Sequence, residues 1–113
     1  MLRPEDVEKI LTTHDLSEFL KDMFRVEDLD LNIDIDYESG ELFINCTGFS
    51  NGLSIIVDPF GVWVIRESIS KNNDGIYTQG RESHHTEHTI TVIRAVARWI
   101  RDIEESSRRS TTR

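Results

Sequence analysis

The sequence predicts an α+β domain: N-terminal helices, an antiparallel β-meander of four or five strands, and a long C-terminal helix packed on one sheet face. Apolar residues recur at helical spacing near both ends of the chain, and between these segments apolar and polar residues alternate as they do in strands. A helix as apolar as the last one needs a cover, which the strands before it provide. Residues 1–113 are therefore expected to form one domain, with a frayed tail over about 106–113.

Two short helices, or one kinked helix, are predicted over residues 4–25. Pro4 followed by two acidic residues is typical of a helix start. Asp15, with Glu18 three residues later, indicates an N-cap and a capping-box variant at a second helix. Because apolar residues follow both starts at helical spacing, we expect these helices to lie as a lid on one edge of the sheet.

The first predicted hairpin spans residues 31–47. Leu31, Ile33 and Ile35 alternate with polar residues, so one side of the first strand is expected to face the C-terminal helix and the other to face solvent. Glu38-Ser39-Gly40 predicts a short loop in which Gly40 takes a positive φ. The returning strand begins after this loop.

The third and fourth strands are predicted at residues 53–57 and 62–68. Both are nearly all apolar, which favours a central position in the sheet. Asp58-Pro59-Phe60-Gly61 between them has the composition of a tight turn. A fifth, short edge strand would fit at residues 76–78.

The C-terminal helix is predicted from Thr86 to Glu105. Its apolar arc is wide enough to face a core, and the same spacing places basic residues together on one flank. The predicted core residues are Ile93, Val96, Trp99 and Ile100. The basic stripe consists of Arg94, Arg98 and Arg101.

Charge is distributed unevenly along this chain, whose net charge is −8. Residues 1–60 hold 14 acidic and 4 basic residues, whereas residues 61–113 hold 7 and 9. An acidic surface repels nucleic acid and attracts basic proteins. The single cysteine, Cys46, fits a reducing compartment and a buried thiol, and no apolar segment suggests a signal peptide or a membrane span. A cytoplasmic location is expected.

One acidic motif has the spacing of a calcium-binding loop. Asp30, Asn32 and Asp34 alternate along the chain, and Glu41 stands at the twelfth position counted from Asp30. Ile35 occupies the position at which such loops need the positive φ of glycine, and a β-branched residue adopts that conformation poorly. The motif is therefore interpreted as the outward acidic face of a strand.

A second motif, His84-His85-Thr86-Glu87-His88, contains the order of an inverted zinc-peptidase motif. On a helix, His84 and His88 would share a face and bind zinc, with Glu87 as general base. The downstream acids on the same helix lie too far along it to supply a third ligand. A metal-dependent hydrolase using these residues is thus an alternative, and no metal or cofactor is expected.

The basic stripe of Arg94, Arg98 and Arg101 admits several interpretations. Pairing with N-terminal carboxylates within the chain is the most economical, because the rest of the domain is acidic. A subunit interface comes next. A nucleic-acid-associated homodimer is the other alternative, although such a surface normally includes stacking aromatic residues.

The sequence thus favours a small acidic protein-binding module, not an enzyme, that acts as an inhibitor, an immunity protein or a chaperone-like adaptor. Its partner is expected to be a basic or nucleic-acid-binding protein, and one form of such a module is a nucleic-acid mimic. No catalytic, cofactor-binding or metal-binding residues are predicted, nor direct contact with nucleic acid or membrane. The partner-binding residues are predicted to be Asp30, Asp34, Asp36, Glu38 and Glu41.

Overall fold

A computed structural model describes residues 4–23, 30–46, 49–70, 73–77 and 80–111. The helices and strands within these ranges form the predicted α+β fold. In chain order they are α1 Pro4–Glu8, α2 Thr13–Met23, β1 Leu31–Ile35, β2 Leu42–Cys46, β3 Phe49–Val57, β4 Trp63–Ile69, β5 Arg81–Thr86 and α3 Thr89–Thr111. Among the described helices, none combines the length and apolar composition that crossing a membrane requires.

The sheet is an antiparallel meander with the strand order β1-β2-β3-β4-β5, as the sequence predicted. β3 lies at the centre and β4 is also paired on both sides, which confirms the interior position predicted for these apolar strands. The fifth strand is Arg81–Thr86. In the segment predicted as a short edge strand, Tyr77 makes a single β-bridge, and Thr78 lies outside the described residues. β5 lies at an edge of the sheet and exposes most of its side chains. Because it buries no apolar face, its sequence shows no alternation of apolar residues that would have predicted a strand.

The main core lies between one face of the sheet and the helices. α2 contacts β1, β2 and β3, whereas α3 contacts β4 and β5. Two predictions were therefore wrong. The helix α2 is part of the main core and is not a lid at one edge of the sheet. The apolar side of β1 was expected to face the C-terminal helix, but it packs against α2. This follows because two helices are needed to cover five strands. The buried core residues include Leu16, Leu20, Leu42, Ile44, Leu53, Ile55, Trp63, Ile65, Val92, Val96 and Ile100.

The start of α2 is fixed by a capping box that begins one turn earlier than predicted. The amide of Asp15 donates to Thr12 Oγ1 at 3.1 Å, and the amide of Thr12 donates to Asp15 Oδ2 at 3.1 Å. Thr12 is thus the N-cap, and Asp15 is the acidic residue that completes the box. The backbone hydrogen bond from Leu11 contributes most to the lowering of the Asp15 pKa.

α3 confirms the predicted core residues Ile93, Val96, Trp99 and Ile100, all of which are buried. It begins at Thr89, three residues later than predicted, because residues 81–86 are paired with β4 as strand β5. It ends at Thr111, so its helical backbone includes residues for which the sequence predicted a frayed tail.

Buried polar groups in and around the core have hydrogen-bond partners. Trp63 Nε1 donates to Thr89 Oγ1 at 3.1 Å, and Trp99 Nε1 donates to the carbonyl oxygen of Asn51 at 2.6 Å. Both indoles are therefore core groups that also link the sheet to α3. Cys46 is buried, and burial raises the pKa of its thiol, with a further contribution from the charge of Asp30. These findings confirm Cys46 as a core thiol.

Candidate functional site

The five predicted partner-binding residues lie on or beside the β1–β2 hairpin, at one edge of the described sheet. We call this surface the acidic hairpin edge: Asp30, Asp34, Asp36, Glu38 and Glu41. Four of its members are exposed, and Glu41 is half-buried. Asp30 precedes β1 with a φ of 53°, a left-handed conformation that aspartate tolerates better than most residues. Asp34 and Asp36 are exposed, as alternation along the strand predicted.

The turn of this hairpin has a defined backbone. Asp36 Oδ1 accepts hydrogen bonds from the amides of Glu38 at 2.9 Å and Ser39 at 3.5 Å. The amide of Gly40, whose φ is 76°, donates to the carbonyl oxygen of Asp36 at 2.7 Å, confirming the predicted positive φ. Thr13 Oγ1 donates to the carbonyl oxygen of Gly40 at 2.5 Å and thereby ties the hairpin to α2. The acids are thus displayed on a supported turn.

Asp34 belongs to a cluster on the sheet face opposite the helices. The hydroxyl of Tyr77 donates to Asp34 Oδ2 at 2.9 Å, and the Tyr77 ring stacks on Phe43 with centroids 4.0 Å apart and planes 2° apart. Asn45 Nδ2 lies 3.4 Å from the Tyr77 hydroxyl and Asn32 Nδ2 lies 3.2 Å from Asn45 Oδ1. Burial, followed by the hydrogen bond and charge of Asp34, raises the pKa of Tyr77 to about 12. The segment carrying Tyr77 therefore covers part of this face.

This cluster predicts a pH-dependent loss of stability in strongly alkaline solution. In a Tyr37→Phe variant, Tyr77 is the one remaining tyrosine, and its phenolate absorbance should titrate with a midpoint of about 12. The raised pKa means that the folded state favours the neutral phenol of Tyr77. The contribution of this preference to folding stability is complete below about pH 10. It is then lost as the pH rises towards 12.

Asp34→Asn in the same background removes the neighbouring charge, so the Tyr77 midpoint should fall. Circular dichroism recorded at each pH identifies any unfolding that accompanies the titration. An unchanged midpoint in the Asp34→Asn protein would contradict the assigned role of Asp34.

Among the described residues, no ion pair neutralises the acidic hairpin edge. Lys21 forms an ion pair with Glu18 at 3.7 Å, and His85 Nδ1 lies 3.4 Å from Glu82 Oε1; both contacts lie away from these carboxylates. The carboxylates of Asp34 and Asp36 accept hydrogen bonds from other groups of the chain. The remaining carboxylates have neither an ion pair nor a side-chain hydrogen bond within the described ranges; they are Asp30, Glu38 and Glu41.

The helical arrangement considered for the zinc motif is not formed, because His84 and His85 lie in strand β5. In β5, His84 is paired with Ile65 of β4 and His85 with Val64 of β4. Adjacent strand residues point to opposite faces, so the two imidazoles lie on opposite faces of the sheet. Ser83 Oγ lies 3.0 Å from His84 Nδ1, while His85 pairs with Glu82. His84 and His88 consequently do not share a helical face. Within the part of the chain that the structure describes, no group of three or more metal-ligating side chains is found.

The basic stripe on α3 is exposed at Arg94, Arg98 and Arg101. Between residues whose positions are described, no ion pair joins these arginines to a carboxylate, so the predicted internal pairing is not found there. The stripe runs along one side of α3, and another side of this helix packs on β4 and β5. It is therefore a separate surface from the acidic hairpin edge.

Comparisons with protein families, curated protein sequences and solved structures return no match to this chain. Function must consequently be inferred from the chain's own surfaces. The sequence identified the outward acids but missed the Asp34–Tyr77 hydrogen bond. Phe43 could have indicated this contact, because an aromatic residue on the polar side of β2 is expected to be covered by another group, and the ring of Tyr77 covers it.

Proposed function

We propose that this chain is a small binding module, without catalytic activity of its own, whose acidic hairpin edge engages a basic partner protein. The supporting observation is the set of carboxylates at Asp30, Glu38 and Glu41, which no basic side chain neutralises among the described residues. The hydrogen-bonded turn at Asp36 and the link from Thr13 support the backbone that carries them. A supported array of charge loses little conformational freedom on binding.

Uncompensated surface charge acts chiefly on association. A negative surface attracts a basic partner over about a Debye length and makes the association rate fall as salt is added. Asp34 and Asp36 keep their negative charges although they accept hydrogen bonds within the chain. They lie two residues apart along an extended chain and are separated by roughly 7 Å. This spacing is comparable to that of successive phosphates on one nucleic acid strand, so a nucleic-acid-binding protein is the form of basic partner that we favour.

The test compares two variants that change net charge equally at different places. Asp30→Asn/Glu38→Lys alters the acidic hairpin edge, and asparagine tolerates the positive φ at position 30. Asp102→Asn/Glu105→Lys makes the same charge change on exposed positions of α3. Wild-type protein is first used as bait to identify the partner in the source cell. The three proteins are then titrated against that purified partner at low and high salt.

We expect the hairpin variant to weaken binding by about tenfold at low salt, equivalent to 1.4 kcal/mol, and to reduce the salt dependence. The α3 variant should stay within about twofold of wild type, because it makes the same change in net charge away from the acidic hairpin edge. Duplex DNA should compete for the partner if the hairpin occupies its nucleic acid groove. Equal affinities and equal salt slopes for the two variants would refute the proposed function.

A further inference from the structure

Two large apolar side chains are exposed together at one end of the sheet. Leu11 is 73% exposed and Phe60 is 89% exposed. Both line two adjoining shallow cavities of about 410 and 590 Å³, together with Val57 and Gly61. We call this surface the Leu11/Phe60 patch. Exposed apolar side chains that cluster in this way often mark an interaction surface, whereas isolated ones do not.

The backbone that carries Phe60 is held by a network of short hydrogen bonds. Asp58 Oδ1 accepts from the amides of Phe60 at 2.8 Å and Val62 at 3.0 Å. The amide of Gly61 donates to the carbonyl oxygen of Asp58 at 3.0 Å, and Gly61 has a φ of 83°. This is the tight turn predicted from the sequence. It projects the phenyl ring into solvent from a fixed backbone position.

Leu11 is held in a similar manner by the capping box of α2. Its amide donates to Asp15 Oδ2 at 3.1 Å, and the same oxygen accepts from the amide of Thr12 at 3.1 Å. The amide of Ile10 donates to the carbonyl oxygen of Val7 at 3.1 Å. Both apolar side chains thus stand on ordered backbone, which lowers the entropic cost of binding to them.

The charged residues that line the two cavities are acidic. Glu87 lines the smaller cavity and Asp58 the larger, and no lysine, arginine or histidine is found among the described residues that line either one. The patch also lies next to the acidic hairpin edge, because Thr13, two residues after Leu11, is bonded to Gly40. In a twofold dimer through this patch, like acids of the two copies would meet, so a second copy is the less suitable occupant.

We propose that the Leu11/Phe60 patch docks a segment of a partner protein in which apolar side chains are flanked by lysine or arginine. The inference rests on the proposed function for the basic character of that partner, and adds the apolar half of the surface it must present. Phe60 and Leu11 would contact the apolar side chains, while Asp58 and Glu87 would face the basic ones. Aromatic anchors at a protein interface commonly carry a large share of the binding energy.

The test uses a synthetic amphipathic helix of leucine and lysine as the probe. Two control peptides replace every lysine with glutamate or every leucine with serine. Fluorescence anisotropy measures the affinity of each peptide for wild type, Phe60→Ser, Leu11→Ser and Ile76→Ser. Ile76 is 62% exposed and lines neither cavity, so Ile76→Ser is a matched loss of an exposed apolar residue. Circular dichroism verifies that each variant is folded.

We expect wild type to bind the leucine–lysine peptide more tightly than either control peptide. Phe60→Ser should weaken this binding at least about tenfold, Leu11→Ser should weaken it less, and Ile76→Ser should stay within about twofold. In wild type, backbone amide resonances of Phe60, Gly61 and Thr12 should shift on addition of the peptide. Equal binding by wild type and Phe60→Ser would overturn the proposal.

The Asp30→Asn/Glu38→Lys variant separates this proposal from the proposed function. If it weakens binding while Phe60→Ser does not, the patch proposal fails and the acidic hairpin edge stands. If Phe60→Ser alone weakens binding, the patch stands and the role of the hairpin fails. Sedimentation of wild type over a range of concentrations tests the competing occupant. A dimer that Phe60→Ser dissociates would overturn the docking of a partner segment.

Discussion

Replacing Trp63 with alanine should lower the free energy of unfolding by about 3–5 kcal/mol. Trp63 is 2% exposed and belongs to the core cluster shared by the sheet and the helices. The substitution removes a large apolar ring, creates a cavity and leaves Thr89 Oγ1 without the indole donor. Guanidinium unfolding followed by circular dichroism measures the loss.

Phe60→Ala is the matched control for Trp63→Ala, because it also truncates an aromatic side chain. Phe60 is 89% exposed, so its truncation should change the free energy of unfolding by less than about 0.5 kcal/mol. Trp63→Phe should cost less than Trp63→Ala, since it retains much of the ring volume. A Trp63→Ala loss as small as that of Phe60→Ala would contradict the position of Trp63 in the core.

Replacing Ile100 with alanine should lower the free energy of unfolding by about 2–5 kcal/mol. Ile100 is buried on the side of α3 that faces the sheet, so its truncation leaves a cavity that the surrounding side chains fill incompletely. Its neighbour Arg101 is exposed, and Arg101→Ala should change stability by about 0.5 kcal/mol or less. A loss below about 0.5 kcal/mol for Ile100→Ala would place that side of α3 on the surface.

The fold class was predictable because burial imposes a period on the residues that face the core. The buried positions of α3, such as Val96 and Ile100, follow the helical period. The burial pattern of β2 alternates along Leu42–Cys46. A residue's side of an element follows from such a period without knowledge of its tertiary partner. That is why both the core of α3 and the outward acids of β1 were predicted correctly.

The edge strand β5 was not predictable from a period. Arg81–Thr86 is polar and mostly exposed, so its extended conformation reflects backbone hydrogen bonds to β4 and not the burial of an apolar face. The histidines in this segment consequently resembled a helical metal motif. Local chemistry also left the start of α2 ambiguous, because Thr12 and Asp15 are both suitable N-caps. The reciprocal hydrogen bonds of the folded chain decide in favour of Thr12.

Contacts between distant segments were beyond the sequence patterns. Tyr77 and Asp34 are 43 residues apart, and no local rule pairs a tyrosine from a polar loop with a strand carboxylate. Leu11 and Phe60 likewise come together only when the start of α2 and the β3–β4 turn meet at one end of the sheet. The individual residues were visible in the sequence, but their proximity is a property of the folded chain.

The open sheet has a consequence for the behaviour of this chain at high concentration. Within the described residues the sheet ends at β1 and β5, and an unpaired strand edge is a template for aggregation. Two copies meeting through β1 would bring their acidic hairpins together, and the resulting repulsion opposes such pairing. β5 presents charged and imidazole side chains at the other edge of the described sheet. The acids that we assign to partner binding therefore also protect the chain from forming intermolecular β-ladders.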